Sequence, residues 1–249
     1  MQKHVSLDEI ATLPTEKITE EEVAKETKVL IERLSKIQNK LFAQRKYAIL
    51  IVLQGMDTSG KDGAVEHVFT GVNPAGCNVR SFKVPTEQEA AHHFLWRISD
   101  ECPEKGMIKI FNRSQYEDII MPIINKTLSS EIIKERCDEI NMFERGLLTN
   151  NTLVLKFYLH VSHKEQLERL KARKTDEHKR WKYQKEDVIA IKKHDEYKKA
   201  YKFVFEQCNK EATWQIVPAD KKWYKNFYIL RSIVKELEKR DIHYPHTEL

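Results

Sequence analysis

The sequence lacks the long apolar runs of membrane proteins and the paired cysteines of many secreted ones. Its 249 residues contain four widely spaced cysteines that form no C-x-x-C pair: Cys77, Cys102, Cys137 and Cys208. This spacing argues against a zinc site or a disulfide framework and fits reduced thiols. No run approaches the ~20 apolar residues that span a bilayer, and the polar, acidic first 26 residues contain no apolar signal core. We therefore expect a cytoplasmic protein with no membrane partner.

Two familiar catalytic arrangements are missing as well. The ten histidines are scattered and form no H-E-x-x-H pair, and no Ser-His-Asp arrangement can be traced. Charged residues make up 33% of the chain and leave a net charge of +5. This mild basic excess permits nucleic-acid, membrane or phosphate partners without choosing among them, so the choice depends on the motifs.

Apolar runs alternate along the chain with segments of helical spacing. The pattern predicts strands at 47–54, 78–85, 107–112, 152–161 and 212–219, and helices at about 20–43, 64–72, 86–103, 129–149 and 222–240. Such alternation predicts an α/β fold in which a five-stranded parallel sheet is sandwiched by helices. We expect residues 1–19 to form an irregular arm that ends at a Thr19–Glu22 capping box. The pattern over residues 162–211 predicts two helices separated by a charged break, and a lid would lie in this interval.

The first motif, LQGMDTSGKDG at 53–63, follows the first predicted strand. Gly55, Gly60 and Lys61 have the spacing of the phosphate-binding pattern G-x-x-x-x-G-K-[ST]. Glycines let the backbone approach an anion closely, and the next helix adds its positive N-terminal end. Asp62 stands where a Mg²⁺-binding hydroxyl is usual, and Asp57 adds a second acid. We call residues 55–63 the phosphate loop; the alternative is a chance glycine-rich turn.

The second motif, IFNRSQYED at 110–118, directly follows the third predicted strand. In phosphate-loop proteins an acid after a neighbouring strand binds Mg²⁺, which makes Glu117 and Asp118 candidates. Arg113 is a planar cation suited to bidentate phosphate contact. Taken alone, the motif is explained slightly better as a solvated turn with an internal ion pair.

The third feature is a basic interval at 164–185, which has nine Lys or Arg and four Asp or Glu. Arg169 and Arg173 are four apart and share a helix face. Arg180 and Lys182 flank a tryptophan. Most such cations form only a solvated surface, and aromatic residues among them also suit single-stranded nucleic acid. A single short basic interval beside a phosphate loop, however, more often closes over phosphates.

Together these motifs resemble one family. The segments GMDTSGKDG, GVNPAG, SFKVPTEQE, FLWR, GMIKIFNRSQYED, LKFYLHVSHKEQLERL, KRWKY and VPADKKWY are similar to those of the polyphosphate kinase 2 family, from about residue 25 to 240. The resemblance implies a single P-loop kinase domain at 20–249, similar to thymidylate kinase, with a helical lid at about 163–187. It also implies reversible transfer of a phosphoryl group from inorganic polyphosphate to AMP or ADP. Glu117 suggests a monophosphate acceptor.

The same resemblance assigns roles to individual residues. The implied catalytic residues are Asp57, Lys61, Asp62, Arg113, Glu117 and Asp118. The implied phosphate-binding residues are Gly55, Ser59, Gly60, Lys61, Asp62, Gly63, Arg113, Arg169, Arg173, Arg180 and Lys182. The implied ligands of Mg²⁺, for which Mn²⁺ is a substitute, are Asp57, Asp62 and Asp118. The implied partners are polyphosphate and adenine nucleotides, with guanine nucleotides as an alternative, in a homodimer or homotetramer without nucleic acid.

Two other functions remain open at this point. An ATP-dependent nucleoside monophosphate kinase would share the loop and the lid, but the hydroxyl that would favour ATP·Mg²⁺ is absent at position 62. A non-catalytic module that binds polyphosphate or nucleic acid would need only the basic interval. It gives no role to the four acids at 57, 62, 117 and 118, which are unfavourable beside a polyanion unless metal ions bridge them.

Overall fold

A parallel sheet of five strands forms the centre of the molecule. The computed structural model describes residues 6–246, apart from the side chain at position 185. The strands are β1 Ala48–Gln54, β2 Cys77–Ser81, β3 Ile108–Asn112, β4 Thr152–His160 and β5 Trp214–Pro218. All pairs are parallel, in the order β2-β3-β1-β4-β5. Every residue of β1 and β4 is buried, as a central strand covered on both faces requires. The predicted α/β sheet is confirmed.

Helices cover both faces of the sheet. They are α1 Glu20–Gln44, α2 Lys61–Val68, α3 Glu87–Ala91, α4 Trp96–Ser99, α5 Glu117–Asn125, α6 Ser130–Thr149, α7 His163–Thr175, α8 Lys185–Lys192, α9 His194–Gln207 and α10 Lys222–Glu238. Along β1, Ile49 and Ile51 pack into a core with α1 and α10, whereas Leu50 and Val52 pack into a second core with α5, α6 and α9. Among residues 6–246, no helix combines the length and apolarity that crossing a bilayer would require.

The start of α1 matches its sequence signal. The Thr19 hydroxyl accepts a hydrogen bond from the Glu22 backbone N–H at 3.2 Å, and the Glu22 carboxylate accepts one from the Thr19 N–H at 2.8 Å. These two bonds satisfy donors that the helix itself cannot pair, so the predicted capping box is confirmed. Residues 6–19 contain no helix or strand.

Two helix predictions are wrong, and one helix was not predicted. A single helix at 86–103 is replaced by α3 and α4, because α3 buries no residue and has no packing to extend it past His92. Residues 162–211 form three helices rather than two, since the chain breaks again at Lys193, between α8 and α9. No helix was predicted after the third strand, yet Glu117 begins α5, which buries Ile119, Ile120 and Ile124.

The irregular N-terminal segment packs on the ends of β4 and β5. The Thr12 hydroxyl donates to the Asp220 carboxylate at 2.7 Å, and the other oxygen of that carboxylate accepts from the Ser162 N–H at 2.8 Å. The His160 Nε2 atom lies 3.0 Å from the Leu7 carbonyl oxygen. This segment therefore joins the start of α7 to the loop after β5.

A buried charge network lies below the carboxyl edge of the sheet. Lys156 on β4 donates to the Glu144 carboxylate at 2.8 Å and to the Tyr116 hydroxyl at 2.9 Å. Tyr116, which immediately precedes α5, also donates to Glu144. Burial raises the pKa of Glu144 and lowers the pKa of Lys156, while their mutual attraction opposes both shifts. The network thus attaches the start of α5 to β4 and α6.

Candidate functional site

The phosphate loop follows β1 at the carboxyl edge of the sheet, where open α/β proteins bind their ligands. A Cβ atom at Gly55 would lie 2.7 Å from the Ser59 hydroxyl oxygen, which is closer than any side chain tolerates. Gly60 has a φ of 91° and would bring a Cβ to 2.9 Å from the Lys225 amine. The loop therefore requires glycine at both positions.

The loop offers several polar groups without a protein partner. Within the part of the chain that the structure describes, no backbone acceptor takes the N–H groups of Thr58, Gly60 and Lys61. The hydroxyls of Thr58 and Ser59 are buried and also lack a partner there. Because α2 begins at Lys61, its first N–H groups add the positive end of a helix. This arrangement suits an anion with several oxygens.

Lys61 is the cation of the loop. Its ammonium donates to the carbonyl oxygens of Gly55 at 2.6 Å and Met56 at 3.1 Å, and only 8% of the residue is exposed. Burial, and then the charge of Arg113, lowers the pKa of Lys61 to about 8. A nearby phosphate would favour the charged form of such a desolvated amine.

Arg113 brings the two predicted acidic motifs together. It lies directly after β3 with a φ of 64°, and its guanidinium forms an ion pair with Asp57 of the loop. The same guanidinium contacts both Glu117 carboxylate oxygens, at 3.2 and 3.3 Å. The charges of Glu117 and Asp57 raise the pKa of Arg113 above its usual value. The internal ion pair expected of a solvated turn is thus present, but it lies partly buried against the phosphate loop.

The other two predicted metal ligands have separate partners. The Asn112 amide donates to Asp62 at 2.6 Å, which orients that carboxylate at the start of α2. Asp118 instead pairs with Arg97 at 3.2 Å, and its burial raises its pKa despite this cation. Among residues 6–246, no three side chains form a cluster that could hold a metal ion. The carboxylates of 57, 62 and 118 therefore do not form a protein-only site.

The donor set nevertheless fits Mg²⁺. Magnesium is usually held by one or two carboxylates, with phosphate oxygens and water as the remaining ligands. Asp57 and Asp62 lie on the phosphate loop itself, next to the unpartnered hydroxyls of Thr58 and Ser59. Asp118 follows β3 instead, and one of its oxygens is engaged by Arg97.

The four predicted lid cations divide into two groups. Arg169 donates to the Thr58 and Ser59 carbonyl oxygens, both at 3.0 Å, and Arg173 donates to Asp187 at 2.5 Å. Both guanidinium groups are therefore engaged by other groups of the protein. The second group, Arg180 and Lys182, lies on a 3₁₀ turn at the tip of the lid, where Arg180 is exposed and the Lys182 amine lies 4.9 Å from the Trp181 ring centre.

Two further residues contact the loop. No sequence motif indicated Gln166, whereas the family resemblance offered Lys225, together with Lys222, as a candidate for a basic residue after the last strand. The Gln166 amide on α7 donates to the Asp57 carbonyl oxygen at 2.9 Å. The Lys225 ammonium on α10 donates to the Gly60 carbonyl oxygen at 2.6 Å. Lys225 is 1% exposed, and burial, followed by the charge of Arg169, lowers its pKa to about 7. A spacing of four from Ile229 was the signal that Lys225 lies on the buried helix face.

Comparisons with known proteins agree on one family. The model of that family, described as Polyphosphate kinase 2, matches residues 17–245. An AMP/ADP-polyphosphate phosphotransferase from Meiothermus ruber is 41% identical over 221 residues, which are 88% of this chain and 83% of the relative. An ADP-polyphosphate phosphotransferase from Rhodopseudomonas palustris is 36% identical over 230 residues, covering 87% and 80% of the two chains.

The comparison with solved structures extends this likeness to the fold. The crystal structure of Polyphosphate Kinase 2 from Arthrobacter aurescens TC1 superposes with a TM-score of 0.96 at 33% identity, covering 100% of this chain and 90% of the other. The predicted P-loop kinase fold is confirmed.

Proposed function

The chain belongs to the polyphosphate kinase 2 family, and we propose that it transfers a phosphoryl group, with Mg²⁺, between inorganic polyphosphate and AMP or ADP in either direction. One observation carries the proposal. The phosphate loop keeps its glycines and Lys61, yet Asp62 replaces the usual hydroxyl and Asp57 is held by Arg113. This arrangement places carboxylates where a polyanion would be repelled unless a metal ion joined them.

The chain's residues position the phosphates and neutralise their charge, which is most of what phosphoryl transfer requires. The unpaired N–H groups of the loop and the Lys61 ammonium bind the phosphates at the reacting end of polyphosphate. Arg113 balances the charge between Asp57 and Glu117. Arg180 and Lys182 lie along the path of the remaining polyphosphate and bind it from the lid.

Asp57 and Asp62 would hold the metal. Mg²⁺ held by these residues would neutralise negative charge on the phosphates, and Mn²⁺ would serve as a substitute. Asn112 keeps one Asp62 oxygen in place, so the other remains available. Asp57 also orients the acceptor phosphate or accepts its proton. Asp118 and Arg97 orient the start of α5, where Glu117 favours a monophosphate acceptor.

The decisive test is a grid of donors and acceptors. Polyphosphate and ATP would be supplied as donors to AMP, ADP, GMP and GDP, with Mg²⁺, Mn²⁺ or a chelator. We expect ADP or ATP to form from adenine nucleotides and polyphosphate, and the chelator to stop the reaction. Product with ATP as donor and none with polyphosphate would instead identify an ATP-dependent nucleoside monophosphate kinase. Polyphosphate binding without any turnover would identify a binding module.

We further propose that the protein acts in the cytoplasm as a homodimer or homotetramer. No helix among the described residues could span a membrane, which is compatible with this location. Light scattering during gel filtration would measure the mass in solution. A monomeric mass in the active protein would contradict the oligomer.

A further inference from the structure

Four consecutive carbonyl oxygens of the phosphate loop are held from outside by three side chains. Gln166 donates to the oxygen of Asp57 at 2.9 Å. Arg169 donates to the next two oxygens, those of Thr58 and Ser59, both at 3.0 Å. Lys225 donates to the oxygen of Gly60 at 2.6 Å. All four carbonyl groups of residues 57–60 are therefore engaged by these side chains, and none is directed toward the anion site.

Because of peptide geometry, fixing these carbonyl oxygens also fixes the direction of the N–H groups that follow them. No peptide bond in the described residues is cis. In a planar trans peptide, the C=O of one residue and the N–H of the next point in opposite directions. Holding the oxygens of residues 57–60 therefore directs the N–H groups of residues 58–61 to the other side. Three of these N–H groups, at 58, 60 and 61, are those without a backbone acceptor in the described chain.

Two of the three side chains have further hydrogen bonds that fix their positions. Gln166 and Arg169 are three residues apart on α7 and so share one helix face. Arg169 additionally donates to the carbonyl oxygens of Ala219 at 2.7 Å and Asp220 at 3.1 Å, after β5. Gln166 accepts a hydrogen bond from the His194 ring at 2.6 Å. These hydrogen bonds thus join the loop to α7, α9 and the segment before α10.

We propose that Gln166, Arg169 and Lys225 are positioning residues that hold the carbonyl groups of the phosphate loop outward, and thereby aim its N–H groups at the phosphate. This inference rests on the proposed function only in that the loop binds phosphate. It gives Arg169 a role different from direct phosphate contact, because its guanidinium is engaged by backbone oxygens on two segments.

The proposal is tested with inorganic tripolyphosphate, whose binding is measured by calorimetry, and with deuterium exchange of the loop amides in the protein alone. Gln166→Met removes no charge and should weaken binding about three- to tenfold, the value of one hydrogen bond. Arg169→Lys keeps the charge and should weaken binding about tenfold or more, because one ammonium cannot reach all four oxygens. In both variants the loop amides should exchange faster.

The matched control is Lys171→Met, which removes an exposed positive charge from the same helix and touches no loop atom. Its affinity and loop exchange should stay within about twofold of the parent, as for most surface charges. Thermal unfolding followed by circular dichroism checks that each variant folds. If Gln166→Met does not fold, the shorter amide in Gln166→Asn keeps the polarity and still cannot reach Asp57.

Unchanged loop exchange in Gln166→Met and Arg169→Lys would overturn the proposal. Retained affinity in Arg169→Lys, lost affinity in Arg169→Met and an unaltered loop in both would make Arg169 a direct phosphate ligand instead. A parent protein that forms no nucleotide from polyphosphate would refute the proposed function. Tripolyphosphate binding and loop exchange would still decide the positioning role, so the two failures are distinguishable.

Discussion

The cations beside the phosphate loop and those at the tip of the lid differ in what surrounds them. Lys61, Arg169 and Lys225 are buried or nearly so, and each donates to backbone carbonyl oxygens. Arg180 is exposed at the lid tip, and Lys182 is only partly buried there. In the sequence, all of them count equally as basic residues.

The two groups of cations therefore contribute to binding in different ways. A buried cation is desolvated when the protein folds, so its position is set before any ligand arrives. A solvated cation keeps its water, is screened by salt and contributes by number rather than by geometry. We therefore expect loop variants to affect the chemistry, and lid variants to affect the length and salt dependence of polyphosphate binding.

The largest effect should come from the loop carboxylate that Arg113 holds. Asp57→Asn keeps the shape and a hydrogen-bond acceptor but removes the charge that binds metal and orients the acceptor. Turnover should fall about 10²- to 10⁴-fold while the protein remains folded. Nucleotide product from polyphosphate is the measurement, and circular dichroism checks the fold. Glu168→Gln, an exposed carboxylate on α7, is the control. Turnover near that of the parent would remove Asp57 from the mechanism.

The buried cation Lys225 should make binding depend on pH. Its pKa lies at about 7, so the amine is charged below this pH and neutral above it. A polyanion favours the charged form, and tripolyphosphate affinity should therefore fall about tenfold between pH 6 and pH 8.5. Lys225→Arg stays charged throughout and should show a shallower decline in calorimetry. Equal slopes in both proteins would exclude Lys225 as the titrating group.

The lid tip should show a smaller and length-dependent effect. The double variant Arg180→Gln, Lys182→Gln removes two charges that contact solvent. Affinity for long polyphosphate should fall about three- to tenfold, with a weaker dependence on salt. Tripolyphosphate, which is short enough to bind at the loop alone, should bind as before. An equal loss for both lengths, measured side by side, would place the lid tip at the reacting end instead.

The smallest effect on activity should come from the ion pair at the base of the lid. Arg173 donates to Asp187 and to the Lys182 carbonyl oxygen, at 2.5 and 3.3 Å, and so closes the 3₁₀ segment against α7. Arg173→Met should accelerate tryptic cleavage within 176–184 severalfold, because the segment opens more often. Turnover should change less than about threefold. A variant that is cut as slowly as the parent would mean that the pair does not hold the lid.

The sheet and the loop could be predicted because their signals are local. An almost wholly apolar run followed by two glycines and Lys61 identifies a buried strand and an anion loop within a few residues. The helix break after α3 could not be predicted in this way. Local propensity continues through 86–103, whereas α3 buries no residue and ends at Ala91.

The contacts of the site that escaped prediction join residues that lie far apart in the sequence. Gln166 meets a loop carbonyl 109 residues away, and Lys225 meets one 165 residues away. Arg169 was predicted as a phosphate-binding residue, but its partners on the backbone leave no trace in composition or spacing. Sequence patterns identify residues of suitable chemistry; the sheet order decides which atoms they face.

The buried network of Lys156, Glu144 and Tyr116 limits which substitutions this sequence can accept during evolution. Losing Lys156 or Glu144 would leave the other charge without its partner in the core, at a cost of about 3–5 kcal/mol, whereas replacing all three residues by apolar ones of similar volume need cost little. A single substitution of either charged residue should therefore cost much stability, whereas the joint replacement should cost little. Because Tyr116 immediately precedes Glu117, this interior triplet and the acidic motif should be inherited as one unit.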